Sequence, residues 1–436
     1  MTDPFAAAKA ADLLHVWHPF TQMAAWLARE PLLLVRGEGA WLFDEKGNRY
    51  LDGNSSIWTN LHGHNHARIS AALKAQLDRV AHTSLLGFAN EPAALLAQRL
   101  IGLVPETGLR KVFFSDNGST GIEVALKMAI QYFQQNGEPL RHGFAAFDHA
   151  YHGDTFGASS LGGISLFHDR FAAHHFPVTR VRDLDGLATV DPSRLAAVVI
   201  EPLVQGAAGM RLWPAGLLRD LETWCRRHGV FLILDEVMTG FGRTGRMFAH
   251  QHEHVKPDFL VLAKGLTGGY SPLAATLTTQ RVFDGFLGRE EDLRTFFYGH
   301  SYAGHALGAA AALASLDTFE QERVLDRLVH LEKVLAGCLE SLKRLPNVRA
   351  VRRCGFMAGI ELGQVNGQPF AGQSQAGARV CLAARRHHLL TRPIRDVVVL
   401  MLPYCVTDTE IAMAVGAIEK SIREALGNPG GKKVTG

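Results

Sequence analysis

The 436-residue chain has no cysteine pair at metal-ligand or redox spacing, no apolar run of membrane-spanning length and no long basic block. Each gap removes a class of function. The five cysteines (Cys225, Cys338, Cys354, Cys381 and Cys405) are odd in number and scattered, which suits reduced thiols in a cytosol rather than a disulfide or zinc framework. A net charge of only +3 leaves nucleic acid without an electrostatic footprint. The nearest approach to a membrane segment, "AGHALGAAAALASL" (303–316), is short and rich in small residues, and reads as a buried helix packed closely against another backbone. The opening "MTDPFAAAKAADLLHVWHPF" carries no basic stretch ahead of an apolar core, so a secretory leader is not expected. GxxxxGK[ST] is missing too, and with it the common nucleotide loop of that type. What is there is an ordinary globular composition, 47% hydrophobic and 20% charged. It is enough for roughly two or three domains of a soluble, cytoplasmic protein.

Residues 31–52 alternate apolar runs with turn signals, which predicts an antiparallel unit with its hairpin turn at Lys46-Gly47-Asn48. Helical spacing fills residues 68–104. "KVFFSDNGSTGIEVALKMAIQYF" (111–133) reads as a strand, a polar glycine turn and a helix. Further strands are predicted at "RHGFAAFDHA", "RLAAVVIEP", "VFLILDEV" and "DFLVLAKG", with "LLRDLETWCRRHG" (217–229) among the intervening helices. This alternation predicts an α/β fold with right-handed crossovers and a mainly parallel sheet covered on both faces. Beyond residue 318 come a long charged helix (319–344), "VRAVRRCGFMAGIEL", "VVVLMLPYCVT" and a last helix, as in a smaller α+β domain joined to the N-terminal segment. The expected limits are 1–66 for that segment, 67–318 for a large domain and 319–436 for the small one. The tail "GNPGGKKVTG" is expected to be disordered.

Ligands of open parallel sheets sit at the carboxyl ends of the strands, and four features fall there. In "SDNGSTG" (115–121), Gly118 permits close backbone approach, and N–H groups around Ser119 and Thr120 would face an anion. The alternative there is an ordinary helix cap by Ser119 or Thr120. "FLILDE" (231–236) ends in two carboxylates that a strand turns to opposite faces, so only one of Asp235 and Glu236 can address a given ligand. A buried carboxylate also needs a cationic partner. "LVLAKGLTGG" (260–269) sets Lys264 between a buried strand and a glycine turn, where an ammonium is costly to desolvate. A lysine of lowered pKa forms Schiff bases, and an aspartate keeps a pyridinium nitrogen protonated. "DHAYHGDT" (148–155) offers Tyr151 for stacking on a planar ring. Anion cradle, pyridinium partner and lysine are the parts that pyridoxal phosphate requires. "HGHNH" would align His62, His64 and His66 if extended, yet no carboxylate or cysteine stands at ligand spacing, so a metal is not expected. "HQHEH" (250–254) reads as a solvated loop.

"DEVMTGFGRTGRMFA", "KPDFLVLAKGLTGGYSP" and "AYHGDT" resemble the class III, fold-type I pyridoxal-phosphate aminotransferases. "HVWHPFTQM", "SSIWTNLHGHNH", "VQGAAGM", "FFYGHSYAGHALG" and "LLTRPIRDVVVLMLPY" narrow the resemblance, over residues 14–424, to the 8-amino-7-oxononanoate aminotransferases of biotin synthesis. The resemblance implies a large domain around a mainly parallel seven-stranded sheet and a smaller α+β domain from both termini. It implies pyridoxal 5′-phosphate, with Lys264 as the Schiff-base lysine, Asp235 at the pyridine nitrogen, Gly118 and Ser119 at the phosphate and Tyr151 on the ring face. His300 and Ser301 match positions where a second subunit completes the phosphate site, which implies a homodimer. Arg392 corresponds to the clamp on the keto acid's distal carboxylate. Phe20, Ile57, Tyr151, Gly299, Arg243 and Tyr404 match further pocket positions, with a bracing role for Arg243 left open. Phe20 and Ile57 replace a tyrosine and a tryptophan of the best-known branch, Trp58 is retained, His305 replaces a common asparagine and Arg395 a common glycine. The implied amino donor is S-adenosylmethionine. Lysine, the donor of a branch resembling this pattern, and a broader ω-aminotransferase activity are the alternatives. A non-catalytic pyridoxal-phosphate-binding protein is the alternative of another class, and intact Lys264, Asp235 and Arg392 argue against it.

Overall fold

Strands Leu109–Ser115 (β1), Gly143–Phe147 (β2), Thr179–Val181 (β3), Leu195–Ile200 (β4), Phe231–Asp235 (β5), Phe259–Leu262 (β6) and Ala274–Thr279 (β7) form one sheet in the order β1-β7-β6-β5-β4-β2-β3. The structure, a computed structural model, describes residues 5–372 and 374–427, so the expected disorder of the tail falls from residue 428 on outside the described residues. All pairings are parallel except those of β7, which runs antiparallel to both neighbours. β4, β5 and β6 are buried along their whole length, which is why they read as continuous apolar runs rather than alternating ones. Phe231 and Ile233 pack with Ile122, Leu126 and Phe133 of helix Gly118–Gln135 (α1), on one face of the sheet. Leu232 and Leu234 pack with Leu218, Leu221 and Cys225 of helix Leu217–His228 (α2), on the other. Asp235 shares the parity of Ile233 and therefore emerges on the α1 side, whereas Glu236 does not.

Two strands escape the sequence reading. β3 has only three residues, too few to show a period. β7, "AATLTT", looks polar because its buried threonines are satisfied internally: Thr276 Oγ1 donates to Gly121 O (2.8 Å) and Thr278 Oγ1 to Asp258 O (3.0 Å).

The small-residue stretch is helix Ala306–Gln321 (α3), largely buried, and a Cβ on Gly308 would stand 3.2 Å from Pro272 O, the close backbone approach its composition predicts. The single charged helix expected over 319–344 is corrected. α3 continues to Gln321, and a separate helix, Val324–Leu339 (α4), follows after Arg323 takes a left-handed conformation (φ +48°) that no continuous helix accommodates.

The N-terminal hairpin forms as expected. Trp41–Asp44 pairs antiparallel with Arg49–Asp52, and Gly47 (φ +83°) turns the chain between them. Leu389–Leu390 joins this sheet beside Arg49–Asp52, so the two ends of the chain share it. A second four-stranded antiparallel sheet carries Val348–Cys354, Met357–Leu362, Val397–Leu400 and Pro393–Ile394. Among the described residues no helix is long and apolar enough to cross a membrane.

Candidate active site

The carboxyl ends of β1, β2, β4, β5 and β6 converge on a cavity of about 500 Å³, within the range of small-molecule sites. Gly118, Ser119, Tyr151, Asp235 and Lys264 all stand on its wall, together with Trp58, His152 and Glu201.

α1 begins at the cavity, and its cap is Asn117 rather than Ser119 or Thr120. Asn117 Oδ1 accepts from Thr120 N (3.1 Å) while Thr120 Oγ1 accepts from Asn117 N (3.0 Å). This cap leaves the first N–H groups of the helix, those of Gly118 and Ser119, without an intrahelical acceptor at its positive end. The cap and the anion cradle therefore coexist. Gly118 is small because Val237 leaves no room: a Cβ would lie 2.7 Å from Val237 Cγ1.

Asp235 ends β5 and is buried, with His152 Nδ1 donating to its Oδ2 (2.7 Å) and Val237 N to its Oδ1 (3.1 Å). The carboxylate keeps capacity for one more donor from the cavity. Glu236, on the opposite face, is tied off by Ala249 N (2.6 Å), His250 N (2.8 Å) and His250 Nδ1 (2.8 Å). Each buried carboxylate thus has a histidine. His250 is accordingly buried, and the solvated loop expected at "HQHEH" is corrected there. His152 and His250 are the partners that the sequence reading missed. His152 directly follows Tyr151, and that adjacency was its only signal.

Lys264 opens the 3₁₀ turn Lys264–Thr267 in a left-handed conformation (φ +41°), and Gly268 (φ +62°) and Gly269 (φ +88°) complete the reversal. Burial lowers its pKa against the pull of the Asp235 and Glu201 carboxylates, so the amine gives up its proton more readily than an exposed lysine. Its Nζ lies 5.3 Å from the centroid of the Trp58 ring, a cation–π distance. Tyr151 donates from its hydroxyl to Asp154 Oδ2 (2.7 Å); burial and that carboxylate raise its pKa and keep the phenol neutral. Glu201 clasps the loops on either side, accepting from Tyr151 N (3.1 Å) and Gly206 N (2.9 Å). Burial raises its pKa to about 7, with His152 opposing and Asp235 reinforcing the rise.

The remaining expected residues stand off this cavity wall. Arg243 is 1% exposed, and its guanidinium donates to Leu402 O (2.9 Å), Asn60 O (3.2 Å) and Trp58 O (3.4 Å). Tyr404, also buried, donates to Phe241 O (2.7 Å) with the Arg243 guanidinium 5.0 Å from its ring. Backbone carbonyls thus hold both side chains as braces in this structure, while Arg243 Nε is buried without a hydrogen-bond partner. Arg392 is exposed and donates to Phe20 O (3.1 Å) with its guanidinium 5.9 Å from the Phe20 ring. Phe20 packs edge-on against Phe167 (5.5 Å), which packs against Tyr151 (6.1 Å), so an aromatic chain links Arg392 to the cavity. Ile57 is exposed at the edge. Gly299, His300 and Ser301 lie on a loop where His300 Nδ1 is 3.9 Å from Asp116 Oδ2 and Ser301 O accepts from His82 Nε2 (2.8 Å). Arg395 occupies the left-handed region (φ +52°), the conformation that a glycine would supply. The three histidines of "HGHNH" diverge to Ser315, Asp52 and Glu322.

The family model "Aminotransferase class-III" matches residues 23–422. The adenosylmethionine-8-amino-7-oxononanoate aminotransferase of Geobacter sulfurreducens is 45% identical, covering 95% of this chain and 97% of its own. The structure of the enzyme of that name from Methanocaldococcus jannaschii superposes with a TM-score of 0.94 at 39% identity, over 96% of this chain and 99% of the other. An amine transaminase from an uncultivated Pseudomonas species, in its PLP-bound form, superposes with a TM-score of 0.88 at 34% identity over 94% of this chain and 99% of its own. With a lysine and an aspartate brought to one cavity by adjacent parallel strands, and with relatives matched over nearly its full length, the chain belongs to the class-III aminotransferases.

Proposed function

We propose that the chain moves an amino group onto the ketone of 8-amino-7-oxononanoate to give 7,8-diaminononanoate, in biotin synthesis. Pyridoxal 5′-phosphate is the cofactor and S-adenosylmethionine the donor. The observation that carries the reading is the pairing of Lys264, its pKa lowered by burial, with a buried and histidine-held Asp235 on the wall of one cavity.

The residues present fit that cofactor. The free N–H groups of Gly118 and Ser119 suit its phosphate, Asp235 its ring nitrogen, and the Tyr151 ring its face. When bound, the cofactor supplies an electron sink for the carbon that loses its proton. Lys264 Nζ would take that proton and return it two atoms along, on the carbon beyond the shared nitrogen, a task for which a neutral amine at neutral pH is needed. His152 Nδ1 donates to Asp235 and keeps its carboxylate oriented, leaving an oxygen lone pair for the ring nitrogen. Arg392 meets the distal carboxylate of the substrate through a planar two-donor face. Two copies associate, His300 and Ser301 of each completing the phosphate site of the other.

Lys264→Ala abolishes turnover in this reading, and a variant with full activity would overturn it. The donor is read by mixing the holoenzyme separately with S-adenosylmethionine and with lysine. The one that bleaches the cofactor's visible absorbance is the substrate, and bleaching by neither rejects both. The exposed Ile57 and the Phe20 ring, in place of larger or hydroxylated walls, favour a broader ω-aminotransferase as the second reading. Rescue of a biotin auxotroph separates the two.

A further inference from the structure

Four consecutive residues at the cavity's edge, Ser55, Ser56, Ile57 and Trp58, have φ values of +44°, +49°, +66° and +69°. A left-handed run of residues with side chains, one of them β-branched, persists only where its surroundings over-determine it. Here the supports are identifiable. Asp52, 2% exposed, ends the strand Arg49–Asp52 and spreads its carboxylate under the turn. Its Oδ1 accepts from Ser56 N (3.0 Å), and its Oδ2 from Ser56 Oγ (2.8 Å) and His64 Nε2 (3.0 Å). Asn60 sets the histidine. Because Asn60 Oδ1 accepts from Gly63 N (2.8 Å), its amide nitrogen faces His64 Nδ1 (3.1 Å), which leaves the Nε2 proton for Asp52. Ser55 Oγ donates to Met401 O (2.7 Å) at the start of the turn.

The outcome of the turn is the stance of Trp58. Its Nε1 donates to Asn54 Oδ1 (2.8 Å), and its ring stands 5.3 Å from Lys264 Nζ. On the far side, a Cβ on Gly206 would come within 3.4 Å of the indole. Asp52 itself is not on the cavity wall.

We propose that Asp52 is a positioning residue: with His64 it holds the left-handed Ser55–Trp58 turn and so sets the Trp58 wall of the substrate pocket. The proposal rests on the aminotransferase reading for its kinetic readout. A carboxylate is needed because it accepts four donors at once, the fourth being Asn54 N (3.4 Å), whereas an asparagine of the same shape presents an NH₂ to two of them. Misplacing the wall weakens the fit of the substrate more than it slows the chemistry. It also withdraws the indole face from the nitrogen of Lys264, which makes that nitrogen easier to deprotonate.

The experiment uses the holoenzyme with Asp52→Asn, Trp58→Phe and the double variant. Asp52→Asn raises KM for the keto substrate roughly tenfold, the equivalent of one lost charge-assisted hydrogen bond, with kcat changed far less. It also moves the pH midpoint of the bound cofactor's visible absorbance downward. Both effects shrink in the Trp58→Phe background, because the two residues act through one wall. Equal effects in both backgrounds, or none in either, overturn the proposal. Should Asp52→Asn not accumulate as folded protein, Ser56→Ala removes a single bond of the same network and decides the matter by a smaller shift of the same sign. The absorbance midpoint needs only bound cofactor. If the wild type transaminates nothing, the functional reading fails while the coupling of Asp52 to Trp58 is still read.

Discussion

The His62 ring is buried and its Nε2 lies 2.9 Å from Ser315 Oγ. Burial above all, with His66 and Arg243 adding to it, lowers its pKa to about 3. The unfolded chain takes up a proton on this residue below about pH 6.5, while the folded chain resists until about pH 3. Between those values the unfolded state binds more protons, so this residue makes stability fall as pH falls, by up to about 1.4 kcal/mol per unit. Urea unfolding at several pH values across that window, compared between wild type and His62→Asn, isolates the slope from the packing cost of the substitution. An unchanged slope would show that His62 is not held neutral in the fold. The same logic of environment separates Asp235 from Glu236. Adjacent in sequence and identical in charge, they face opposite sides of β5, and only Asp235 reaches the cavity. That division is legible in the sequence from strand parity alone. Their partners are not, because His152 stands 83 residues from Asp235 and only the fold joins them.

At the scale of the element, the reversal after β6 is a demanding piece of backbone beside the site. A Cβ on Gly268 (φ +62°) would have the edge of the His62 ring as its nearest neighbour, at 3.2 Å, and a side chain can yield by a few tenths of an ångström. Gly269 (φ +88°) faces the main chain of Asn60, whose Cα and N would both lie 2.9 Å away. Backbone held by the Asn60 and Arg243 bonds cannot give in the same way. Gly269→Ala is therefore the costlier substitution, at about 2–3 kcal/mol against about 1 kcal/mol for Gly268→Ala in denaturant unfolding. Equal costs would mean that φ alone, and not the contact with Asn60, sets the requirement. The turn itself is legible because two adjacent glycines after an apolar run have few other uses. The strained Ser55–Trp58 turn is not, since serine, isoleucine and tryptophan carry no left-handed signature and tertiary bonds impose the conformation. Likewise β4, β5 and β6 are readable as uninterrupted apolar runs, while β7 hides behind threonines whose hydroxyls are satisfied inside the sheet.

At the scale of the whole molecule, an exposed apolar surface adjoins the loop that carries His300 and Ser301. Leu86 and Phe88, 79% and 73% exposed, lie on the segment before helix Glu91–Gly102, and Phe297, 79% exposed, on the loop that carries His300 and Ser301. The two segments meet: His82 Nε2 donates to Ser301 O (2.8 Å), Asn90 Nδ2 donates to Gly304 O (2.9 Å), and the His82 and Tyr302 rings stand 4.6 Å apart. Side chains of this size are exposed together where another protein surface covers them. In the proposed homodimer that surface is a second copy, and the loop carrying His300 and Ser301 is thereby brought to the neighbouring site. Assembly and cofactor binding are then coupled, because whatever separates the copies also removes part of each phosphate site. Wild-type protein is expected to sediment with the mass of two chains at micromolar concentration. A Leu86→Asp, Phe88→Asp double variant is expected to sediment as one chain and to bind pyridoxal phosphate at least tenfold more weakly. Both substitutions are on exposed side chains away from the cavity wall, so the monomer keeps its fold and its Lys264, and the lost affinity reads the missing partner. A wild-type chain that sediments alone with cofactor bound, or a dissociated variant that binds it as tightly as before, would show that each site is complete within one chain.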